Sequence, residues 1–254
     1  MNTTNILQKF EPVGLDAVDD TLFLNRYDTK YLLSPRILPV ILDKLSGKYR
    51  VLDIDNRCFQ EYESLYFDNR EFRFYLDHQN GKSNRYKVRF RKYPDSKTIF
   101  IEVKFKNNKD QTRKWREQIT PSQYIDKVLT ERDNRLIDTL FIRNPGRLFP
   151  RFCVTYSRLA LIHKENNERV TIDLNLSYKK EGEIIEFDSI SIAELKQGTR
   201  SQRSDFFDVM RKLHIVPARF SKYCFGIYQF FPGLKHNRFK SRFMFVDKKL
   251  NGRN

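Results

Sequence analysis

Residues 84–106, NRYKVRFRKYPDSKTIFIEVKFK, alternate between charged and apolar side chains in two runs. In the first run, basic residues occupy every second position from Arg85 to Arg91, and the second run does the same with charged residues from Glu102 to Lys106. This alternation predicts a β-hairpin with one polar and one apolar face. Six of the seven polar residues are positive. Because like charges on neighbouring strands repel, we expect an anion on that face.

The composition predicts a partner rich in negative charge. The chain has 254 residues with 48 basic and 32 acidic side chains, a formal net charge of +16. This balance favours nucleic acid, acidic lipid or phosphate chains as partners without distinguishing among them. Hydrophobic residues make up only 39%, but 22 Phe and 13 Tyr supply bulky core material. No linker or repeat divides the chain, so we expect residues 1–234 to form one domain, followed by a basic C-terminal tail, residues 235–254.

The cysteines, histidines and hydropathy argue against several other classes of protein. Cys58, Cys153 and Cys224 are odd in number and form no CxxC motif, so free thiols in a reducing compartment are expected. The four histidines are scattered and lack zinc-binding spacing. The N-terminus lacks signal-peptide features, and no window has the roughly 18 apolar residues of a membrane span. These observations predict a cytoplasmic protein.

Hydrophobic periodicity predicts about eight strands with helices between and after them. The strand patterns cover residues 25–34, 60–67, both halves of the hairpin, 112–119, 152–162, 168–178 and 185–196. Short connections favour antiparallel pairing. Strands with one polar and one apolar face can curl into a barrel with a polar interior and helices packed outside. The predicted fold class is therefore α+β: an antiparallel β-tunnel with a basic interior.

Strand parity assigns the side chains that would line this interior. They are Arg26, Asp28, Lys30, Arg85, Lys87, Arg89, Arg91, Glu102, Lys104, Lys106, Lys114, Arg116, Tyr156, Arg158, Arg169, Thr171, Asp173, Glu194 and Lys196. A solvated surface position is the alternative for any one of them, but the same parity recurs on several segments. Confined cations are unstable without bound anions, so an interior of this kind predicts ligand binding.

The mixture of lysine and arginine favours a string of phosphates as the ligand. Arginine offers a planar fork to two oxygens, whereas lysine gives a compact point charge. Glu194, in the segment AELK, has cationic neighbours that would hold it ionised. An ionised carboxylate among phosphates is a natural ligand of Mg²⁺ or Mn²⁺. A plain ion pair with a neighbouring lysine or arginine is the alternative for Glu194.

An ordered series of short motifs, which extends over residues 20–230, resembles a known family. The motifs are RYDTKYLL, YFDN, NRYKVRFRKY, FIEVKFK, YSR, RVTIDLNL, AELK and RFSKY. In this order they resemble the catalytic domain of the vacuolar transporter chaperone (VTC) polyphosphate polymerase, in the triphosphate tunnel metalloenzyme (CYTH-like) superfamily. The resemblance implies a basic β-tunnel that binds a nucleoside triphosphate and a growing polyphosphate chain.

The resemblance also implies roles for individual residues. It assigns phosphate binding and catalysis to Lys30, Arg89, Arg91, Lys104 and Lys222, and further phosphate contacts to Arg158, Arg169, Ser221 and either Lys114 or Arg116. Arg26 and Lys196 join the substrate-binding set by parity, and Glu194 would bind Mn²⁺ or Mg²⁺. Ser221 and Lys222 would lie on a C-terminal helix that helps to close the tunnel.

The first strand departs from the hydrolytic members of the superfamily. They carry ExExK, whereas this chain reads Arg26-x-Asp28-x-Lys30. One carboxylate remains, which weakens metal binding and water activation there. We therefore expect an ATP-dependent polyphosphate polymerase, a transferase that adds the terminal phosphate of a nucleoside triphosphate to a polyphosphate chain. The alternatives are a tripolyphosphatase or nucleoside triphosphatase with the same tunnel, and a non-catalytic binder of polyphosphate or another polyanion.

The partners expected are ATP or another nucleoside triphosphate and inorganic polyphosphate. No nucleic acid is expected, because the hairpin aromatics alternate opposite to the cations and could not stack on bases of the same ligand. The eukaryotic polymerases carry a phosphate-sensing domain and transmembrane helices that are not found in this sequence. Membrane association would then need a separate membrane-protein partner or the basic tail. A solvated tail is the default interpretation of residues 235–254, and its Phe239, Phe243, Met244 and Phe245 make lipid docking the alternative.

Overall fold

The computed structural model of the chain describes residues 3–15, 27–109, 111–141, 144–198 and 203–250. Its strands are β1 Glu11–Val13, β2 Tyr27–Leu33, β3 Tyr49–Leu52, β4 Phe59–Asn69, β5 Arg85–Tyr93, β6 Thr98–Lys106, β7 Thr112–Gln118, β8 Leu148–His163, β9 Glu168–Lys180, β10 Glu183–Phe187 and β11 Ser191–Gln197. Its α-helices are α1 Thr3–Leu7, α2 Leu38–Leu45, α3 Arg73–Gln79, α4 Pro121–Asp126, α5 Glu131–Leu140, α6 Asp205–Lys212, α7 Lys222–Phe230 and α8 Asn237–Leu250. Arg26, which parity placed in the interior, lies outside the described residues.

The strands form one sheet, in which the main path runs β2-β11-β9-β8-β4-β5-β6-β7. Every pairing along this path is antiparallel. β3 and β10 attach to β8 and β9, and β1 pairs with β3 in parallel. The sheet curls, so that charges on β6 act on charges of β2 and β11 across its concave face. The predicted α+β fold, an antiparallel β-tunnel with helices outside, is confirmed.

One predicted strand, residues 185–196, is two strands in the structure. β9 is 13 residues long, and one edge of it pairs with β11 through residues 168–173 and with β10 through residues 176–180. The chain turns at residues 188–190 to pass from one part of this edge to the other. This turn contains neither glycine nor proline, so the sequence pattern did not mark it.

The hairpin folds as its alternation predicts. β5 and β6 pair in a register that places Arg89 opposite Glu102 and Lys87 opposite Lys104. Val88, on the other face, is completely buried. The cationic set therefore lies on the concave face and the apolar set on the convex face.

Hydrophobic cores on the convex face fix the curvature of the sheet. Side chains of α3, α4 and α5 pack against the apolar face of the hairpin. Side chains of α1, α2 and α6 pack against β2, β8, β9 and β11. Ser204 caps α6, since its hydroxyl accepts a hydrogen bond from the Phe207 N–H. The charged side chains of the hairpin lie on the opposite face of the sheet from the helices α3, α4 and α5.

Helix α7 packs against the concave face instead. Gly226 faces the ring of Phe152 so closely that a Cβ at this position would overlap the ring. The Ser221 hydroxyl caps the helix by accepting a hydrogen bond from the Cys224 N–H. α7 therefore closes one side of the tunnel and brings its N-terminal residues into the interior.

Residues 237–250 form helix α8, where a solvated tail was the default expectation. Phe243 and Val246 are only 2% and 1% exposed. The Phe243 ring packs against Phe225 of α7, with ring centres 5.0 Å apart. Apolar side chains on one face of α8 thus cover α7, which explains why this basic segment is ordered. None of the helices in the described ranges is long and apolar enough to cross a membrane.

Gly226→Ala should lower the free energy of unfolding by about 1–3 kcal/mol, because the added methyl group overpacks the contact between α7 and Phe152. Chemical denaturation measures this loss. Gly47→Ala is the matched control, since no heavy atom lies within 4 Å of a Cβ placed there. Equal stability of the two variants would contradict the close packing of α7 on the sheet.

Candidate functional site

Glu102 is the centre of the first charge cluster on the concave face. Its side chain is 2% exposed, and Arg89 donates to it through Nε at 2.8 Å and Nη2 at 2.5 Å. Lys114 lies 2.9 Å from the other carboxylate oxygen. Burial alone would raise the pKa of Glu102, but Arg89, Arg91 and Lys114 outweigh it and hold the pKa well below its usual value. Glu102 is therefore an ionised anchor for these cations.

Asp173 anchors the second cluster and joins α7 to the sheet. Arg158 binds it with two parallel hydrogen bonds, from Nε at 2.6 Å and Nη2 at 2.9 Å. Lys222, the first residue of α7, binds the same carboxylate. Burial opposes ionisation, yet Arg158 and Lys222 hold the pKa of Asp173 well below its usual value. Both predicted phosphate-binding cations are thus fixed in the interior.

Glu194 is the centre of the third cluster. Lys30 and Lys196 lie 3.7 Å and 3.8 Å from its carboxylate oxygens. The pKa of Glu194 is well below its usual value, because these lysines and Lys104 outweigh the effect of burial. Thr171 lies directly opposite Glu194 in the β9–β11 pairing, and its buried hydroxyl has no hydrogen-bond partner.

The surroundings of Glu194 fit a divalent metal ion that takes most of its ligands from a substrate. Within the described ranges, no three His, Cys, Asp or Glu side chains form a metal-binding group. Mg²⁺, however, usually keeps waters and binds one or two carboxylates together with substrate phosphates. Glu194 supplies one ionised carboxylate, and Thr171 an unsatisfied oxygen beside it. The residues present could hold a metal ion only when phosphate oxygens complete its coordination.

Arg91 is a buried interior guanidinium whose contact with a carboxylate is long. It is 6% exposed, and its Nη2 donates to the Tyr156 hydroxyl at 2.9 Å and to the Ser64 hydroxyl at 3.3 Å. Its Nε has no hydrogen-bond partner and lies 3.9 Å from Glu102. A buried guanidinium held by neutral hydroxyls is prepared to bind an anion.

Lys87 and Lys104 form a pair of partly buried ammonium groups. They lie opposite each other on β5 and β6, and Lys87 donates to the Ser221 hydroxyl at 3.0 Å. Burial lowers the pKa of each lysine to about 8, and the like charge of Lys30 contributes to the shift in both. Glu194 and Asp28 act on Lys104 only from beyond ion-pair distance and do not offset the effect of burial. A phosphate chain would supply a direct partner for both lysines. Parity placed Lys87 in the interior, but the resemblance assigned it no role.

Arg116 and Arg169 are two further predicted residues. Arg116 lies opposite Glu102 in the β6–β7 pairing, but it is exposed, and its guanidinium lies 5.2 Å from the centre of the Phe100 ring. Arg169 is half-buried and lies opposite Lys196, a member of the Glu194 cluster, in the β9–β11 pairing.

Aromatic rings also lie on the cationic face, contrary to the expectation from the hairpin. Tyr93 and Phe100, next to the hairpin turn, share the parity of the cations and contact each other edge to face, with ring centres 6.0 Å apart. Tyr62 stacks on Tyr156 at 5.2 Å, with the Arg158 guanidinium 4.8 Å from the Tyr62 ring centre. The argument against base stacking, which considered only the middle of the hairpin, was wrong on this point.

A buried aspartate, Asp68, positions α7 relative to the sheet. It is the last interior residue of β4, and its carboxylate accepts hydrogen bonds from the N–H groups of Phe74 and Tyr75 in α3. The Tyr223 hydroxyl, next to Lys222, donates to the same carboxylate. Asp68 therefore binds the first turn of α3 from the end of a strand. Asp68 thus ties α3, β4 and α7 together beside the site.

Tyr223→Phe should lower the free energy of unfolding by about 1–3 kcal/mol, because the buried Asp68 carboxylate loses a hydrogen bond. Thermal or chemical denaturation measures the change. Tyr178→Phe is the matched control, since its hydroxyl is buried without a hydrogen-bond partner and its removal should cost nothing. If the two variants were equally stable, the Tyr223–Asp68 contact would have no structural role.

The affinity for a triphosphate should fall as the pH rises above 8. Lys87 and Lys104 have pKa values of about 8, so each is cationic below this pH and neutral above it. For each lysine that must be charged to bind phosphate, the affinity should fall by up to about tenfold between pH 8 and pH 9. Isothermal titration with a non-hydrolysable ATP analogue from pH 7.5 to 9.5 measures the change. Lys87→Met should flatten the pH profile of the affinity. If the affinity of the wild-type protein did not change over this pH range, the assignment would be contradicted.

Comparison with known proteins supports this arrangement of strands. Residues 25–231 match the VTC domain family, and a search of curated protein sequences found no significant match. A "putative adenylate cyclase" from Bacillus halodurans aligns with a TM-score of 0.50 and 13% identity, covering 82% of this chain and 99% of that one. A "putative adenylyl cyclase" from Hippeastrum with a dominant triphosphatase activity aligns with a TM-score of 0.50 and 13% identity, covering 80% of this chain and 94% of that one. These two similarities concern the fold alone. The family match extends over most of the sequence, from β2 to α7, and the chain therefore belongs to the VTC domain family.

Proposed function

We propose that the protein is an ATP-dependent polyphosphate polymerase, which transfers the terminal phosphate of ATP to the end of an inorganic polyphosphate chain. The observation that carries the proposal is the charge of the interior. Glu102, Asp173 and Glu194 are each paired with two or more cations. Among the residues that the structure describes, no carboxylate lies within ion-pair distance of Lys87 or Lys104. A linear polyanion supplies the missing negative charge along the length of the tunnel.

The reaction needs alignment and charge neutralisation more than a strong base. A terminal oxygen of the polyphosphate chain, already anionic near neutral pH, attacks the γ-phosphorus of ATP. The bond from that phosphorus to the β,γ-bridging oxygen breaks, and ADP leaves with the electron pair. Arg91, Arg158 and Lys222 bind the oxygens of the transferring group and stabilise its charge in the transition state. A divalent metal held by Glu194, when bound, would neutralise further phosphate charge.

The low pKa values and the ion pairs of the interior carboxylates support phosphate transfer rather than hydrolysis. Hydrolysis by a general base needs a group that can take a proton from water near neutral pH. Glu102 and Asp173 have pKa values well below the usual range and are occupied by cations. Such carboxylates are weak bases, so an anionic phosphate is a better nucleophile in this interior than water.

A triphosphatase is the second candidate function. The fold similarity to the Hippeastrum protein, which has a dominant triphosphatase activity, favours it. A non-catalytic polyanion binder is the third, and it differs from both in forming no product. The substrate ATP fits a cytoplasmic location, and we propose a separate membrane-protein partner for any coupling to a membrane.

Purified full-length protein with ATP and Mn²⁺ should form long phosphate chains, seen on a polyphosphate gel, with one ADP released for each phosphate incorporated. Free phosphate as the sole product would favour the triphosphatase. Absence of both products, with retained binding of polyphosphate, would favour the non-catalytic binder.

Arg91→Ala should lower the rate of chain synthesis by about 10²–10³-fold, because a preorganised donor to the transferring phosphate is lost. Glu194→Gln should abolish the response to Mn²⁺ or the activity itself. Arg135→Ala, on the exposed surface of α5, is the control and should retain activity. An active Glu194→Gln variant with a wild-type Mn²⁺ response would show that Glu194 holds no metal.

A further inference from the structure

We infer that three arginines around Phe149 form a second binding surface for the polyphosphate chain. The guanidinium carbons of Arg70, Arg147 and Arg151 lie 5.6, 5.4 and 5.7 Å from the centre of the Phe149 ring. We call these four residues the arginine cluster. Arg70 follows the last residue of β4, and Arg147 precedes the first residue of β8. Roughly 30 Å of extended strand separates Phe149 from Arg158, so the cluster is distinct from the Asp173 cluster.

Among the described residues, the arginine cluster has no direct carboxylate partner, although Asp68 and Glu71 act on the Arg151 guanidinium from beyond ion-pair distance. In the described part of the chain, no carboxylate forms an ion pair with Arg70, Arg147 or Arg151. The Nη2 of Arg151 donates to the Asn69 carbonyl, but its Nε is buried and has no partner. Three cations around one ring repel one another, and cation–π contacts at exposed positions are too weak to offset this repulsion. An anion bound between the guanidinium groups would remove this repulsion.

The geometry favours phosphate groups over nucleobases. Contacts with the Phe149 ring restrict the guanidinium groups, and Arg70 and Arg147 remain exposed to solvent. Each guanidinium can offer two parallel N–H groups to phosphate oxygens. The guanidinium groups occupy the surface of the ring, so a base could not stack on it. The chemistry therefore fits a chain of phosphates without bases.

Helix α7 connects the arginine cluster to the tunnel. Arg151 lies 4.2 Å from the centre of the Phe72 ring, and Phe72 packs against Phe231 at 4.6 Å, immediately after the last residue of α7. The other end of α7 carries Lys222, inside the tunnel. Because α7 has 9 residues, its two ends are about 14 Å apart. A phosphate chain long enough to extend past the helix could contact both sites, whereas a triphosphate could occupy only one.

The experiment compares the binding of a long polyphosphate, about 60 phosphates, with that of tripolyphosphate to the full-length protein without ATP. In Arg70→Gln/Arg147→Gln, the dissociation constant for the long chain should rise about tenfold, and the slope of log K against log salt should shrink by about two. The dissociation constant for tripolyphosphate should stay within about twofold of wild type. Arg132→Gln/Arg135→Gln, on the exposed face of α5, removes the same net charge and should leave both constants unchanged.

Unchanged long-chain affinity in the Arg70→Gln/Arg147→Gln variant would overturn the inference. An equal loss of affinity for a single-stranded oligonucleotide would overturn the assignment to polyphosphate. The inference rests on the proposed function only for the identity of the anion, and the test requires no catalysis. A protein that binds long chains through the arginine cluster but makes none from ATP would refute the proposed polymerase and leave this surface intact.

Discussion

The structure depends on three interior carboxylates that each hold two or more cations on the concave face of a curled sheet. Asp173 illustrates the constraint, because it binds Arg158 from a neighbouring strand and Lys222 from α7 at once. Removing one member of a buried ion pair typically costs 3–5 kcal/mol, since the remaining charge is left uncompensated. The carboxylates therefore offset the repulsion among the interior cations when no ligand is bound. Asp173 also fixes α7, the helix that closes the tunnel.

The same arrangement determines what the interior can bind. The cations exceed the carboxylates, and burial brings the pKa of Lys87 and Lys104 down to about 8. An anionic ligand would restore the proton affinity of these lysines, so binding and protonation are coupled. A chain of phosphates satisfies this demand at several points, whereas a single carboxylate ligand satisfies it at one. The paired carboxylates are poor bases and therefore activate water poorly. This property of the interior favours phosphate transfer over hydrolysis.

Much of the fold could be predicted from the sequence, because a strand with one buried face repeats every two residues. The alternation in the hairpin correctly separated Val88 from Arg89. The break between β10 and β11 was missed, because residues 188–190 contain neither glycine nor proline, although Asp188 and Ser189 are residue types common in turns. Arg116 shares the parity of Lys114, yet only Lys114 reaches Glu102, because parity fixes the face but not the reach of a side chain. The contact between Asp68 and Tyr223 joins positions 155 residues apart, and no local pattern indicates it.

The most direct test of the account is a crystal structure of the protein with a non-hydrolysable ATP analogue. We expect its phosphate oxygens to lie inside the tunnel, within hydrogen-bond distance of Arg91, Arg158 and Lys222, with Lys87 or Lys104 close to the end of the triphosphate. Phosphates bound only on the outer surface, with the interior cations still confined to their carboxylate partners, would contradict the claim that this interior is built to hold linked phosphates.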